Sequence, residues 1–301
     1  MNTFPLWILI AIFSSLFQCC RNSFQKALTP YFSDITVTWV RYFYGCPFVL
    51  LYYFEYSPAP FDLTWISETF LLFCLVGASC QVAASFYLIR CFSYQNFAVS
   101  ITYAKLETIC AAIIAALVFQ DHVTVWGGMA IMVSVIGVLL ASQSSQNYTM
   151  NVKVILNKAD VRCGLACAFL YALSAVFFRQ ANLLIPSLDP IVRGINTVAT
   201  ISVIDTILFT IILMFWKPQE LIQTVKHHKL SVLTGLFSVA ASVLWIIALG
   251  ITNAAYVIAV AQIDIIIAVV ISKKIFKEKI KNTQLVGIAL VICAVVSFVI
   301  V

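Results

Sequence analysis

Residues 96–121 read NFAVSITYAKLETICAAIIAALVFQD, and residues 253–278 read NAAYVIAVAQIDIIIAVVISKKIFKE. A shift of 157 positions lays Asn96, Ala98, Ile101, Ala104, Ile109, Ala111, Ile114 and Phe119 on Asn253, Ala255, Ile258, Ala261, Ile266, Ala268, Ile271 and Phe276 without a gap. Alanines and isoleucines align easily by chance. Rarer residues align as well: Glu107 falls on Asp264, and Asp121 on Glu278. Both stretches are apolar enough for lipid, yet each carries an acid in its middle. A charge at the bilayer centre costs roughly 3 kcal/mol on insertion scales, so an intramembrane acid is a functional candidate by default.

The chain around these stretches has the same character. Of its 301 residues, 62% are apolar and 10% charged, against roughly 45–50% and 25% in soluble domains. Mean hydropathy is +1.02. The apolar residues fall in long separate runs, not in the short alternating segments of a β-barrel. A spanning helix needs about 20 such residues. Ten segments qualify, at 4–23, 34–54, 66–89, 97–119, 124–142, 161–182, 190–215, 230–249, 254–273 and 283–301. The expected fold is an all-α polytopic membrane protein of ten transmembrane helices. The first run lacks a basic n-region, and Arg21 and Asn22 stand where a cleavage site should be, so it reads as a retained span.

The repeat extends beyond the opening stretches. A shift of 152 puts Arg41 on Arg193, and a shift of 158 puts Gly77 on Gly235 and Tyr87 on Trp245. The halves are expected at 1–145 and 161–301, joined by a loop at 146–160. Five spans per half is an odd number, so the second half enters the membrane upside down. Such inverted repeats underlie alternating access in many secondary transporters. Basic residues concentrate at the odd-numbered connections, among them Lys26, Arg90, Lys158, Lys217, Lys226, Lys229 and the lysines at 273–281. By the positive-inside rule both termini lie outside a plasma (inner) membrane. The net charge of +6 is spread thinly over span ends and is no nucleic-acid signal. Cys74, Cys80, Cys110, Cys163, Cys167 and Cys293 all fall within spans, and no cysteine pair has zinc-ligand spacing with partner histidines. No disulfide, metal or cofactor is expected.

Glu107 and Asp264 are the first candidates for a central cavity, touching substrate or carrying a proton; the competing reading is that each fixes packing. Lys105 points away from Glu107 on the same helix. It lies too deep to snorkel to water easily, and its expected reach is to Asp264 or to a substrate carboxylate. Asp205 lies mid-span beside Thr206 and Ser202. Tyr87, Tyr103, Trp245 and Tyr256 could stack on a planar or cationic ligand or sit as interfacial aromatics. Gln81, Gln262 and Asn196 are further polar candidates. Arg41 and Arg193 lie near helix ends, where snorkelling or carbonyl capping competes with a gating role. His227-His228 reads as a solvated face.

These features resemble the EamA-like family of the drug/metabolite transporter superfamily. The resemblance rests on Lys105-Leu106-Glu107 followed by the small-apolar run 111–119 and Asp121, similar to the family's Leu-Glu-Pro, small-apolar helix, Gly-Glu block, and on its echo from Asp264 to Glu278. Gly127, Gly128 and Gly287 sit where the family places glycines. The family proline is replaced by Thr108 and Ile265, and the first span has no carboxylate. The four-span relatives need that carboxylate for proton coupling, so their mechanism does not carry over. The resemblance implies a single-chain permease for small organic metabolites, with both termini usually cytoplasmic, which conflicts with the charge count.

Neither a His-Glu-x-x-His nor a Gly-x-Ser-x-Gly motif is present, so an enzyme is not expected. No nucleotide-binding loop is present, so transport would run on a gradient or by exchange, with a proton as candidate coupling ion. The expected cargo is small and amphoteric, such as an amino acid or a nucleoside-like compound (S-adenosylmethionine, for example). The alternative is a lipid-linked substrate flippase or a regulatory membrane subunit. A monomer contains both halves, and a homodimer is the other option.

Overall fold

A computed structural model describes residues 6–56, 66–107, 158–186, 189–251 and 263–300, with positions 109, 110, 114, 129, 133, 136, 137, 140, 257, 260 and 261 between them. Most of the fifth span and nearly all of the connecting loop therefore lie outside the described residues. Every described element is helical. Among the described residues five helices are long and apolar enough to cross a bilayer: Leu6–Leu28, Glu68–Tyr94, Ala159–Leu184, Ile191–Trp216 and the run Pro218–Ala248. Length, composition and apolar surface together make this a membrane protein.

The chain divides into two compact units, and these are not the sequence halves. One comprises Met1–Val82 with Ser174–Val257, the other Ala83–Leu173 with Ile258–Val301. Each unit thus draws on both repeats.

In the first unit, α1 (Leu6–Leu28) packs along α9 (His228–Ile251). A hydroxyl bond joins them, from Ser14 Oγ to the Ala241 carbonyl at 2.8 Å. The second span is not one continuous helix. It is α2 (Asp34–Phe43) followed by α3 (Cys46–Tyr56), with Tyr44-Gly45 at the break. Pro47, near the start of α3, cannot donate to the preceding turn and favours a new helix start. The break packs tightly on α9. A Cβ on Gly235 would lie 2.4 Å from the Tyr44 carbonyl carbon, and one on Gly45 would lie 3.1 Å from Val239 Cγ2 and 3.2 Å from the Gly235 carbonyl oxygen. Small residues permit such backbone approach in lipid, where no hydrophobic force drives helices together.

The second unit contains the later part of α4 (Glu68–Tyr94), α5 (Phe97–Ala104), the early part of α6 (Ala159–Leu184), α10 (Ile263–Lys274) and α11 (Asn282–Ile300). Here α5 packs on α10 and α11 through Ala98, Ile265 and Ile288. Its Tyr103 fills the space over Gly164 of α6, where a Cβ would come within 2.6 Å of the Tyr103 Cβ.

Polar groups at one end of the first unit hold α2 in place. α7 (Pro190–Trp216) starts with Asp189 accepting from the Ile191 amide at 2.8 Å and ends before Pro218. The next residues, PQELIQTVKHHK at 218–229, are too polar for the bilayer and form α8 (Pro218–Gln223) and a short 3₁₀ turn (Thr224–His227). Ser33, at the N-cap of α2, makes no capping bond with its own side chain. Glu220 supplies the cap instead. Its Oε2 accepts from the Ser33 amide (3.0 Å), the Ser33 hydroxyl (2.6 Å) and the Thr36 hydroxyl (2.5 Å). Its Oε1 pairs with Lys217 at 3.2 Å. The carboxylate thereby meets one orphan amide, that of Ser33, and the positive end of the α2 dipole. His227, expected to be a solvated face, packs its ring against Tyr31 at 4.2 Å and Phe32 at 5.5 Å.

Burial opposes ionisation of Glu220, but the bonds from Ser33, Thr36 and Lys217 outweigh it and bring its carboxyl down to about 2. A depressed acid stabilises the fold above the unfolded carboxyl value of about 4.3, and that stabilisation disappears as pH falls towards 2. Glu220→Gln is expected to cost about 1 kcal/mol at neutral pH, as for other lost N-caps. Melting curves in detergent from pH 7 to pH 3 should show wild type and variant converging as the acid limit is approached.

Candidate functional site

The second unit brings three of the sequence candidates together at two interruptions in helical structure. α5 stops at Ala104. The Lys105 amide bonds back to the Ile101 carbonyl at 3.2 Å, and the Leu106 amide bonds to Tyr103 at 3.1 Å. Helical bonding restarts when the Ile109 and Cys110 amides both reach the Leu106 carbonyl at 3.0 Å. On the other repeat Ala261 lies in a turn, and α10 begins at Ile263. Ala104 and Ala261 are equivalent under the 157-position shift, so both breaks fall at the same repeat position. Neither glycine nor proline stands at either break.

Charges fill these two helix ends. Lys105 lies at the C-terminal end of α5, where a helix is partially negative. Asp264 lies in the first turn of α10, where a helix is partially positive. Both placements match the helix dipole. The two then pair directly, with Lys105 Nζ 2.8 Å from Asp264 Oδ2. The reach of Lys105 to the acid of the opposite repeat is therefore present. Side-chain exposure is 5% for the lysine and 1% for the aspartate, so in this conformation the pair is closed off from solvent. Tyr103 is buried two positions before Lys105 in the same array, and Glu107 is half-buried two positions beyond it. Cys167 of α6 lies within electrostatic reach of both Lys105 and Glu107.

A second carboxylate cap supports this array. Glu278 Oε2 accepts from the Phe97 amide at 3.0 Å and from the Ser272 hydroxyl. Asn96, at the N-cap, makes no capping bond of its own and instead bonds the Lys279 carbonyl at 3.2 Å. Lys277, just before Glu278, adopts φ 52°, a left-handed conformation that favours glycine.

The remaining candidates lie elsewhere. Tyr87 is half-buried in the second unit. Tyr256 and Gln262 lie outside the described residues. Gln81, Trp245, Asn196, Asp205, Arg41 and Arg193 belong to the first unit. There Arg41 corrects the snorkelling expectation: it is 3% exposed, donates from Nε to Ser238 Oγ at 2.9 Å and holds its guanidinium carbon 4.8 Å from the Tyr42 ring centre. A guanidinium kept from water needs such partners. Asp205 is fully buried and interacts electrostatically with Arg41, and neither of its oxygens has a hydrogen-bond partner among the described residues. Arg193 is half-buried, with Nη2 3.5 Å from the Gly250 carbonyl. Arg21 went unrecognised as a candidate. It is 2% exposed and donates from Nε and Nη2 to Asn22 Oδ1 at 3.1 and 2.8 Å. An arginine beside an asparagine, fifteen residues beyond the start of α1, is the signal in the sequence.

The EamA-like transporter family model matches residues 161–300, which contain α10 and Asp264. A crystal structure superposes with a TM-score of 0.65 at 10% identity, covering 98% of this chain and 96% of that one, a likeness of fold alone. A search of curated proteins gives no match.

Removing one partner of a buried pair leaves an uncompensated charge, at a cost of about 3–5 kcal/mol. Lys105→Met and Asp264→Asn are each expected to destabilise the protein on that scale. The double variant should lose less than the two single losses combined, by more than about 1 kcal/mol. Thermal unfolding in detergent measures all three; additive losses would show that the pair is not coupled.

Proposed function

We propose that this protein is a ten-span secondary transporter of two inverted five-span repeats that moves a small amphoteric metabolite by alternating access. The observation that carries the reading is the Lys105–Asp264 pair bridging interruptions at equivalent positions of the two repeats. Transporters of inverted-repeat design place their sites at such discontinuous helices, where helix ends supply partial charges to the cargo. A packing role alone gives no reason for both repeats to interrupt a spanning helix at the same place.

The charge inventory narrows the cargo. Lys105, Glu107 and Asp264 sum to one net negative charge when ionised. A cargo with an amine or other cationic centre and an acid group suits such a set, as an amino acid or a nucleoside-like sulfonium compound such as S-adenosylmethionine would. Lys105 and Asp264 lie in the same compact unit, and their pair would present a dipole to the cargo when the site opens. Glu107, half-buried, is the group placed to meet the cationic centre or to carry a coupling proton. The chain would work in the plasma membrane, driven by a gradient or by exchange, and one copy suffices.

Purified protein reconstituted into vesicles tests this. Candidate cargoes are first chosen by the rise they cause in melting temperature. Uptake of those cargoes should then fall about tenfold or more in Glu107→Gln, the loss expected for a single charged contact to cargo of about 1.4 kcal/mol or above. The melting temperature without cargo should stay near that of wild type. Wild-type uptake by the variant would remove Glu107 from the site.

A further inference from the structure

The segment Lys273-Lys274-Ile275-Phe276-Lys277-Glu278-Lys279-Ile280-Lys281 carries five lysines and one acid in nine residues. Its first two lysines close the last turn of α10, where cations complement a helix C-terminus. The dipole does not account for the other three. Beyond Lys274 the chain turns and then runs extended, and its side chains alternate. Phe276, Glu278 and Ile280 face inward: Phe276 packs on Phe97 at 5.5 Å, Glu278 caps α5, and Ile280 joins the Ala98–Ile265–Ile288 core. Ile275, Lys277, Lys279 and Lys281 are exposed, Ile275 by 65%. The one acid of the segment thus spends its charge on the helix cap. None of the five lysine side chains forms an ion pair among the described residues.

We propose that this strap is a docking surface for anionic phospholipid headgroups of the membrane that holds the protein: Lys277, Lys279 and Lys281, beside Lys273 and Lys274, grip the phosphates while Ile275 enters the headgroup–acyl boundary. The strap continues directly from an apolar helix, so it lies at headgroup depth. Clusters of four to eight basic residues at the end of a span attract anionic lipid, and an exposed apolar side chain among them adds interfacial burial. The backbone argues for more than a topology signal. Basic residues orient a chain by number alone, but here Lys277 holds a left-handed conformation that a side chain disfavours. Occupying that position with a lysine aligns three ammonium groups on one outer face.

Melting of the whole protein in two kinds of vesicle tests the proposal: phosphatidylcholine alone, and an equal mixture of phosphatidylcholine and phosphatidylglycerol. Wild type should melt higher in the mixture, and added salt should erode that rise because exposed charges are screened. Lys277→Gln/Lys279→Gln/Lys281→Gln should lose most of the rise. Lys226→Gln/Lys229→Gln, which removes two lysines from a different connection, should keep it. Lys277→Gly should melt higher than wild type in phosphatidylcholine, through relief of backbone strain, yet gain less from the anionic lipid. No rise in wild type, an undiminished rise in the triple variant, or an equal loss in the Lys226/Lys229 control would overturn the proposal.

Discussion

The second unit is organised around a single contact, the ion pair from Lys105 to Asp264 across two interrupted helices. Interrupting a helix inside lipid is costly because the freed amides and carbonyls have no water to turn to. Here a cation stands at the carbonyl end of α5 and an anion at the amide end of α10, so each charge meets the helix end of opposite sign. The two charges then neutralise each other at 2.8 Å. Desolvation that would forbid either residue alone is offset by the other, together with the dipoles. The surroundings hold this geometry: Gly164 leaves room for Tyr103, and Ala98 lets α5 lie close to Ile265.

The same physical solution recurs at the membrane surface. Glu220 caps α2 and Glu278 caps α5, each from a connection far away in sequence. In both cases the residue at the N-cap position, Ser33 or Asn96, leaves the cap to the remote carboxylate. A helix capped from its own sequence can form without regard to its neighbours. A helix capped from the other repeat is complete only when the two repeats are together. These caps tie local secondary structure to tertiary assembly, where apolar packing in lipid supplies little directional force.

Much of this was legible in the sequence. Composition and run length dictate spanning helices, and the rare acids expose the repeat more reliably than its alanines do. The depth of Lys105 led to Asp264 because a buried cation needs an anion, and the repeat placed one nearby. What stayed hidden followed from long-range pairing. The breaks after Ala104 and Ala261 involve no proline or glycine, so local propensity gives no sign of them. The break at Gly45 does carry a glycine and a nearby proline, but hydropathy averages over both. The burial of Arg41 and Arg21 depends on Ser238, Tyr42 and Asn22, partners that a hydropathy scan treats as noise. The compact units divide α4 and α6, and no composition shift marks those positions.

The sharpest measurement is the charge exchange Lys105→Asp with Asp264→Lys, followed by melting and by vesicle uptake of a cargo that wild type carries. Exchange restores the ion pair but turns each charge against its helix end, a mismatch of about 0.3–1 kcal/mol per terminus. Melting should therefore recover only part of what the single substitutions lose, and uptake should remain absent because the dipole presented to the cargo is reversed. An exchanged protein that melts and transports like wild type would contradict the central claim, because the pair would then be interchangeable packing.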